Sequence, residues 1–219
     1  MTTINRKTGV AKLTLLGVLT AILIVLGYVN IPMPAGLSIT FNMIPVAVAA
    51  IAMGLPGGLI IGTVFGLISF LQCFNIFGAS VLGTTLLNEA AVMFEQAGHA
   101  KATAALYAGG LMFAQRVLSR VLVGLVAAMV WKGIRKTKLP LYAQGAVVGF
   151  SAALSNTLFF MSSLALLFST TPKMTATMAG RGFLAYVVGS VGVNAVVEMA
   201  VAAMVTGAVT TALKKARLI

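Results

Sequence analysis

The chain alternates between long apolar runs and short polar or basic segments, and this pattern continues along its whole length. A helix needs about 20 apolar residues to cross roughly 30 Å of hydrocarbon. The pattern therefore predicts an all-α integral membrane protein, with one membrane domain over residues 1–219 and six transmembrane helices. The predicted spans are residues 13–29, 40–53, 57–74, 111–131, 141–169 and 183–213.

The region between the third and fourth predicted spans, residues 75–110, is less uniform than the rest. Asn75, Asn88 and Glu89 interrupt its apolar sequence, and Glu95 and His99 follow. We expect a long, partly helical connection here, either outside the membrane or re-entering it.

Composition supports the membrane interpretation. Of the 219 residues, 60% are hydrophobic and only 8% are charged, whereas soluble domains carry about 25% charged residues. The formal net charge of +12 comes from short basic clusters between the apolar runs. Nucleic-acid binding needs a basic face in polar surroundings, so this placement argues against a nucleic-acid partner and for a lipid bilayer.

The basic clusters also predict the orientation in the membrane. With six spans, ten lysines and arginines share one side and three lie on the other. Positively charged loops stay in the cytoplasm, so both termini are predicted to be cytoplasmic, in a bacterial plasma membrane. A seventh span within residues 75–110 would split the clusters between two faces. The three basic residues predicted on the outer side are Lys101, Lys173 and Arg181.

Catalytic and metal chemistry find no support in the sequence. No phosphate-binding loop of the GxxxxGK[ST] type occurs, so the chain is not predicted to hydrolyse ATP itself. Cys73 and His99 are the only residues of their types, Asp is absent, and no spacing suits a metal. We therefore predict no catalytic residue, no metal ligand and no cofactor.

Ionisable residues inside the predicted spans point to a polar centre. A charge at the middle of a bilayer is costly, so it faces protein or a cavity. Arg116 and Arg120 are four residues apart in the fourth span, and Asn194 and Glu198 have the same spacing in the sixth. With Asn156 in the fifth span, these residues fall at comparable depth on three consecutive helices.

Two interpretations of this polar set compete. In a purely structural one, Arg120 and Glu198 neutralise each other and Asn156 makes a hydrogen bond between helices. In a functional one, the set lines a pocket that opens outward and captures an anion. The predicted substrate-binding residues are Arg120, Asn156, Glu198, Asn194, Arg116, Asn42 and Gln72.

Small residues recur at a spacing of four in two spans. Gly54, Gly58, Gly62 and Gly66 form a ladder through the start of the third span, and such ladders let helix backbones approach closely. We interpret this ladder as internal packing. A shorter pair on the first span could instead contact another subunit; it consists of Gly17 and Ala21.

Several short segments, taken in order, resemble the substrate-binding subunits of energy-coupling factor transporters. The resemblance covers essentially the whole chain, with agreement in length and helix number. The segments are Phe41–Val46, Gly54–Gly58, Gly62–Leu67, Ser119–Leu125, Asn156–Met161 and Asn194–Glu198.

This resemblance implies a six-helix subunit that binds one vitamin with high affinity and docks on a transmembrane coupling protein driven by two cytoplasmic ATPases. It also implies that Gly17 and Ala21 contact the coupling protein, and that residues 31–40 cover the pocket. The segments resemble pantothenate subunits most, and Arg suits the carboxylate of pantothenate.

Other ligands and another transport class stay open. Riboflavin and pyridoxine-like vitamins remain alternatives, because the chain has twelve Phe that could stack on a flat ring. A self-sufficient secondary transporter, coupled to protons through Glu198, is the rival from another class. That mechanism requires Glu198 to exchange protons without a permanent arginine partner.

Overall fold

The chain forms a helical bundle in a computed structural model that describes residues 3–29, 31–32, 38–178, 180 and 182–219. Arg181 and half of the predicted pocket cover, residues 33–37, lie outside the described residues. The helices are α1 (Thr3–Tyr28), α2 (Met43–Met53), α3 (Leu55–Leu71), α4 (Val81–Gln96), α5 (Lys101–Ile134), α6 (Leu141–Phe168), α7 (Pro172–Met178) and α8 (Phe183–Lys215).

A small antiparallel hairpin lies between α1 and α2. Strand β1 (Ile31–Pro32) pairs with β2 (Ser38–Ile39), and Ile31 is opposite Ile39. A short 3-10 turn, Gln72–Phe74, continues α3. The hairpin and the turn both belong to the connections at the end of the bundle where α1 and α3 finish.

In the part of the chain that the structure describes, five helices are long and apolar enough to cross a membrane, as in a multi-pass membrane protein. They are α1, α3, α5, α6 and α8. The second predicted span, residues 40–53, contains only the 11-residue helix α2, which reaches about 16 Å at 1.5 Å per residue. Most of α2 is buried, so its apolar composition serves the interior of the bundle.

The region predicted as a partly helical connection, residues 75–110, is largely helical. It contains α4, and α5 begins at Lys101 rather than at the predicted start of the span, Leu111. The 34 residues of α5 extend for about 51 Å, which exceeds the roughly 30 Å hydrocarbon thickness. The aromatic rings of Phe94, His99 and Tyr107 pack edge to face where α4 meets α5.

The glycine ladder brings α3 into backbone contact with α5. A Cβ atom at Gly62 would lie 2.7 Å from the carbonyl oxygen of Arg120, and one at Gly66 would lie 2.7 Å from Cα of Val117. Gly58 meets Gly124 in the same way. The predicted internal packing is confirmed for these three glycines. Gly54 differs, because it has φ +68° and ends α2.

The long helices run in two opposite directions, and their arrangement places the basic clusters together. The start of α3 lies against the later part of α5, so these two helices are antiparallel. Gly145, near the start of α6, packs on Thr210, near the end of α8, and Gly27 at the end of α1 packs on Gln72 at the end of α3. One end of the bundle therefore contains the start of α1, the end of α5, the start of α6 and the end of α8. We call this end, with Lys12, Lys132, Arg135, Lys136, Lys138, Lys214, Lys215 and Arg217, the basic end.

Two hydrophobic cores divide the bundle along its length. The first core lies toward the basic end and includes Val123 of α5, Ala152 of α6 and Ala202 of α8. The second lies toward the opposite end and includes Met112 of α5 and Leu164 of α6. The polar residues predicted from the sequence occupy the stretch between the two cores on each of these helices.

Candidate ligand-binding site

A cavity of about 100 Å³ lies between the two cores, enclosed by α3, α5, α6, α8 and the connections before α2 and α4. Since one water molecule requires roughly 10–15 Å³ of such space, the cavity holds several waters or a small organic molecule. All seven residues that the sequence predicted as substrate-binding line this cavity. They are Asn42, Gln72, Arg116, Arg120, Asn156, Asn194 and Glu198.

Arg116 is held at the side of the cavity formed by α3 and α4. Its Nη1 donates to the hydroxyl of Ser69 at 3.4 Å, and its Nη2 donates to the hydroxyl of Ser80 at 3.0 Å. Its guanidinium carbon lies 4.9 Å from the ring centroid of Phe160. The remaining nitrogen, Nε, is buried and has no hydrogen-bond partner. Serine hydroxyls therefore position this charge without neutralising it.

Arg120 lies one helical turn further along α5. Its Nη1 donates to Ser119 at 2.9 Å, and its guanidinium carbon lies 4.3 Å from the ring centroid of Phe160 and 5.1 Å from that of Phe65. Its Nε is buried without a partner. The arginine is only 6% exposed, so a cation stacked on two aromatic rings contributes one wall of the cavity.

Glu198 makes its hydrogen bond to the main chain instead of to an arginine. Its Oε1 accepts from the backbone N–H of Thr40 at 2.8 Å, across 158 residues of sequence. Within the described part of the chain, no ion pair of 4 Å or less joins Glu198 to Arg116 or Arg120. The structural alternative of direct neutralisation between Arg120 and Glu198 is therefore not observed, and the cavity holds two cationic groups and one acidic group.

The amide side chains supply unpaired acceptors. The Oδ1 atoms of Asn42 and Asn156 are buried and have no hydrogen-bond partner. Asn156 thus does not make the hydrogen bond between helices that the structural alternative required, at least to any described residue. Asn194 is buried one turn before Glu198 on the wall formed by α8. A ligand with hydroxyl or amide donors would satisfy the two unpaired oxygens.

Gln72 has a structural connection in addition to its place in the cavity wall. Its Nε2 donates to the carbonyl oxygens of Gly27 at 3.0 Å and Phe77 at 3.1 Å. These bonds tie the end of α1 to the connection between α3 and α4. Gln72 therefore holds these two segments together as well as lining the cavity.

Several lining residues were missed by the sequence analysis. Ser69 and Ser80 hold Arg116, and Phe65 and Phe160 carry the arginine stacking. Helical spacing contained a signal for three of them. Phe160 follows Asn156 by four residues, whereas Ser69 and Phe65 precede Gln72 by three and seven. Ser80 could be found only as the residue that caps the start of α4.

The small pair on α1 does not line the cavity and faces outward. Gly17 and Ala21 are both exposed, and a Cβ atom at Gly17 would have no heavy atom within 4 Å. Leu19 and Leu23 are the buried residues of this part of α1. The pair does not pack inside the bundle.

No sequence profile of a known protein family matches the chain, and no curated protein sequence matches it.

The chemistry of the cavity favours binding an anion. A buried charge is costly unless it is paired and hydrogen-bonded, and both arginines are buried without a carboxylate partner among the described residues. No group of three His, Cys, Asp or Glu residues in the described part of the chain could hold a metal ion. The arrangement can orient a small acid between cationic, aromatic and amide groups.

Proposed function

We propose that the chain is the vitamin-binding subunit of an energy-coupling factor transporter and that its ligand is pantothenate. The observation that supports the proposal best is the cavity with two buried arginines and no carboxylate partner for them. A bound carboxylate would supply the missing charge through charge-assisted hydrogen bonds. The hydroxyl and amide donors of pantothenate match the unpaired oxygens of Asn42 and Asn156.

The aromatic residues of the cavity favour pantothenate over a flat vitamin. Riboflavin and pyridoxine-like ligands would need ring faces on which to stack. Both phenylalanines in the cavity wall, Phe65 and Phe160, already have guanidinium groups over their rings. A flexible acid can contact the arginines without needing a free ring face, whereas a planar ring would need one.

The direct test is ligand binding by the purified chain. We expect mass spectrometry to find pantothenate retained after gentle purification in detergent, and calorimetry to measure its binding. Riboflavin and pyridoxine serve as matched comparisons in the same titration. Tight riboflavin binding without pantothenate binding would overturn the vitamin assignment.

We further propose six crossings with cytoplasmic termini in a bacterial plasma membrane, with the short helix α2 completing the second crossing together with the hairpin. The gathering of basic residues at one end supports this orientation. In cells carrying Cys73→Ser, a cysteine at Thr3 or Ala216 should resist an impermeant thiol reagent. A cysteine at His99, in the exposed connection at the opposite end, is the matched control and should react. Strong labelling at either terminus would contradict the proposed topology.

Partner dependence follows from the same proposal. The chain should bind pantothenate alone but accumulate it only with a coupling protein and two ATPases, because its sequence has no phosphate-binding loop. Vesicles reconstituted with and without those partners, supplied with ATP, measure this difference as radiolabelled uptake.

The secondary transporter remains a second candidate because Glu198 has no arginine ion pair among the described residues. Glu198 hydrogen-bonds to the backbone of Thr40, which leaves it free of the permanent partner that would prevent proton exchange. Concentrative uptake by the chain alone under a proton gradient would favour this candidate. Loss of that uptake in Glu198→Gln would identify the coupling residue.

The exposed small pair on α1 supports a contact with the coupling protein. Gly17→Leu and Ala21→Leu should leave pantothenate binding unchanged, because both positions point away from the bundle. They should impair uptake in the reconstituted complex by filling a close helix contact. Val18→Leu, at a half-exposed neighbour on the same helix, is the matched control and should transport normally. Loss of binding together with uptake would contradict a role of this pair in the partner contact alone.

A further inference from the structure

The cavity carries an unequal number of charged groups. Arg116, Arg120 and Glu198 line it, and each is at most 6% exposed. With all three ionised, the cavity has one excess positive charge. A ligand with one negative charge balances this total, whereas a ligand with two or more does not.

Glu198 is placed to act on the ligand's charge. A carboxylate in a close ion pair with an arginine would be largely neutralised, but Glu198 is held by the backbone N–H of Thr40 at 2.8 Å. Because Glu198 is part of the cavity wall, the negative charge of its carboxylate acts on any molecule in the cavity. Charges interact more strongly inside a protein than in water, and like charges in contact disfavour binding.

We propose that Glu198 is a specificity-determining residue that restricts the cavity to ligands with a single negative charge and so excludes their phosphate esters. This inference rests on the proposed function, because it uses pantothenate as the singly charged ligand. The arginines attract the acid, and Glu198 sets the upper limit on its charge. Specificity of this kind needs a repulsive element as well as an attractive one.

A set of three proteins with the same shape separates charge from size. Glu198→Gln keeps the side-chain shape and an oxygen that can accept from Thr40, and it raises the cavity charge from +1 to +2. Asn194→Asp lowers the cavity charge to zero. Asn194 lies one helical turn from Glu198 on the same wall of the cavity. The wild type lies between them.

Three probes report on the cavity charge in each protein. They are pantothenol, which is neutral; pantothenate; and pantothenate phosphorylated on its terminal hydroxyl. The bulk of the phosphate is the same in every comparison, so a change in the affinity ratio reports charge. In Glu198→Gln, the affinity for the phosphate ester relative to pantothenate should rise by about tenfold or more, because a like charge has been removed. In Asn194→Asp, the affinity for pantothenol relative to pantothenate should rise by a similar factor.

Each outcome bears on a different statement. If the ratios stay constant across the three stably folded proteins while the wild type binds pantothenate, the charge limit is wrong and the proposed function stands. If the wild type binds none of the probes, the proposed function fails and this inference fails with it. If Glu198→Gln does not fold, the comparison of affinity ratios between the wild type and Asn194→Asp still tests the inference. A pantothenol-to-pantothenate ratio that does not change between those two overturns the inference.

Discussion

Replacing Arg120 with glutamine should weaken pantothenate binding by roughly 10- to 150-fold, because a hydrogen bond to a charged group contributes about 1.5–3 kcal/mol. Arg120 is the better placed of the two arginines for this role. Two terminal nitrogens of Arg116 already donate to serine hydroxyls, whereas Arg120 donates only to Ser119 among the described residues. Calorimetric titration of the purified variant measures the loss.

The uncharged analogue pantothenol provides the control for this effect. It lacks the carboxylate, so Arg120→Gln should change its affinity much less than that of pantothenate. Arg116→Gln is the matched variant, and it should also loosen the connection that Ser80 anchors. We therefore expect a lower unfolding temperature for Arg116→Gln than for Arg120→Gln.

Stability of the ligand-free protein separates a binding effect from an unfolding effect. Glu198 keeps its hydrogen bond to Thr40 in Arg120→Gln, because that bond does not involve the arginine. The variant should therefore remain folded. A normally stable Arg120→Gln protein that binds pantothenate at wild-type affinity would rule out the proposed role.

Adding a single methyl group at Gly62 should destabilise the bundle by about 1–3 kcal/mol, the usual cost of overpacking a close contact. The new Cβ atom would lie 2.7 Å from the carbonyl oxygen of Arg120, so α3 and α5 must separate. This separation displaces Arg120 as well, and Gly62→Ala should therefore also bind pantothenate more weakly. The midpoint of thermal unfolding in detergent measures the first effect.

Gly109→Ala is the matched control for the glycine experiment. Gly109 lies within α5, and a Cβ atom there would have no heavy atom within 4 Å outside its own helix. Alanine favours helix by up to about 1 kcal/mol over glycine, so this variant should be as stable as the wild type or more so. Equal stability of Gly62→Ala and Gly109→Ala would contradict the close contact between α3 and α5.

Much of the cavity wall could be predicted from the sequence because helical spacing and hydrophobicity are local properties. Arg116 and Arg120, or Asn194 and Glu198, lie on one face of a helix wherever that helix packs. A buried polar face in an apolar helix must then meet other polar groups, since isolated polar groups in hydrocarbon are costly. For this reason the five predicted residues on α5, α6 and α8 line one cavity.

The number and length of the helices were harder to predict from local sequence patterns than the cavity wall was. An apolar stretch can be buried by protein or by lipid, and hydrophobicity alone does not distinguish the two. The stretch at residues 40–53 became the short buried helix α2, and the mixed stretch at 75–110 became α4 and the extension of α5. Packing against neighbouring helices decided these outcomes.

The sequence by itself determined which faces of the long helices are polar and which apolar runs are flanked by basic residues, because each of these depends on residues within a few turns of one another. Only the tertiary structure decided the partner of each polar group. Glu198 hydrogen-bonds to Thr40, which is 158 residues away, and Ser80 holds Arg116 from the start of another helix. These choices depend on how closely distant backbones approach, and the contact of Gly62 with the backbone of Arg120 sets that distance for α3 and α5.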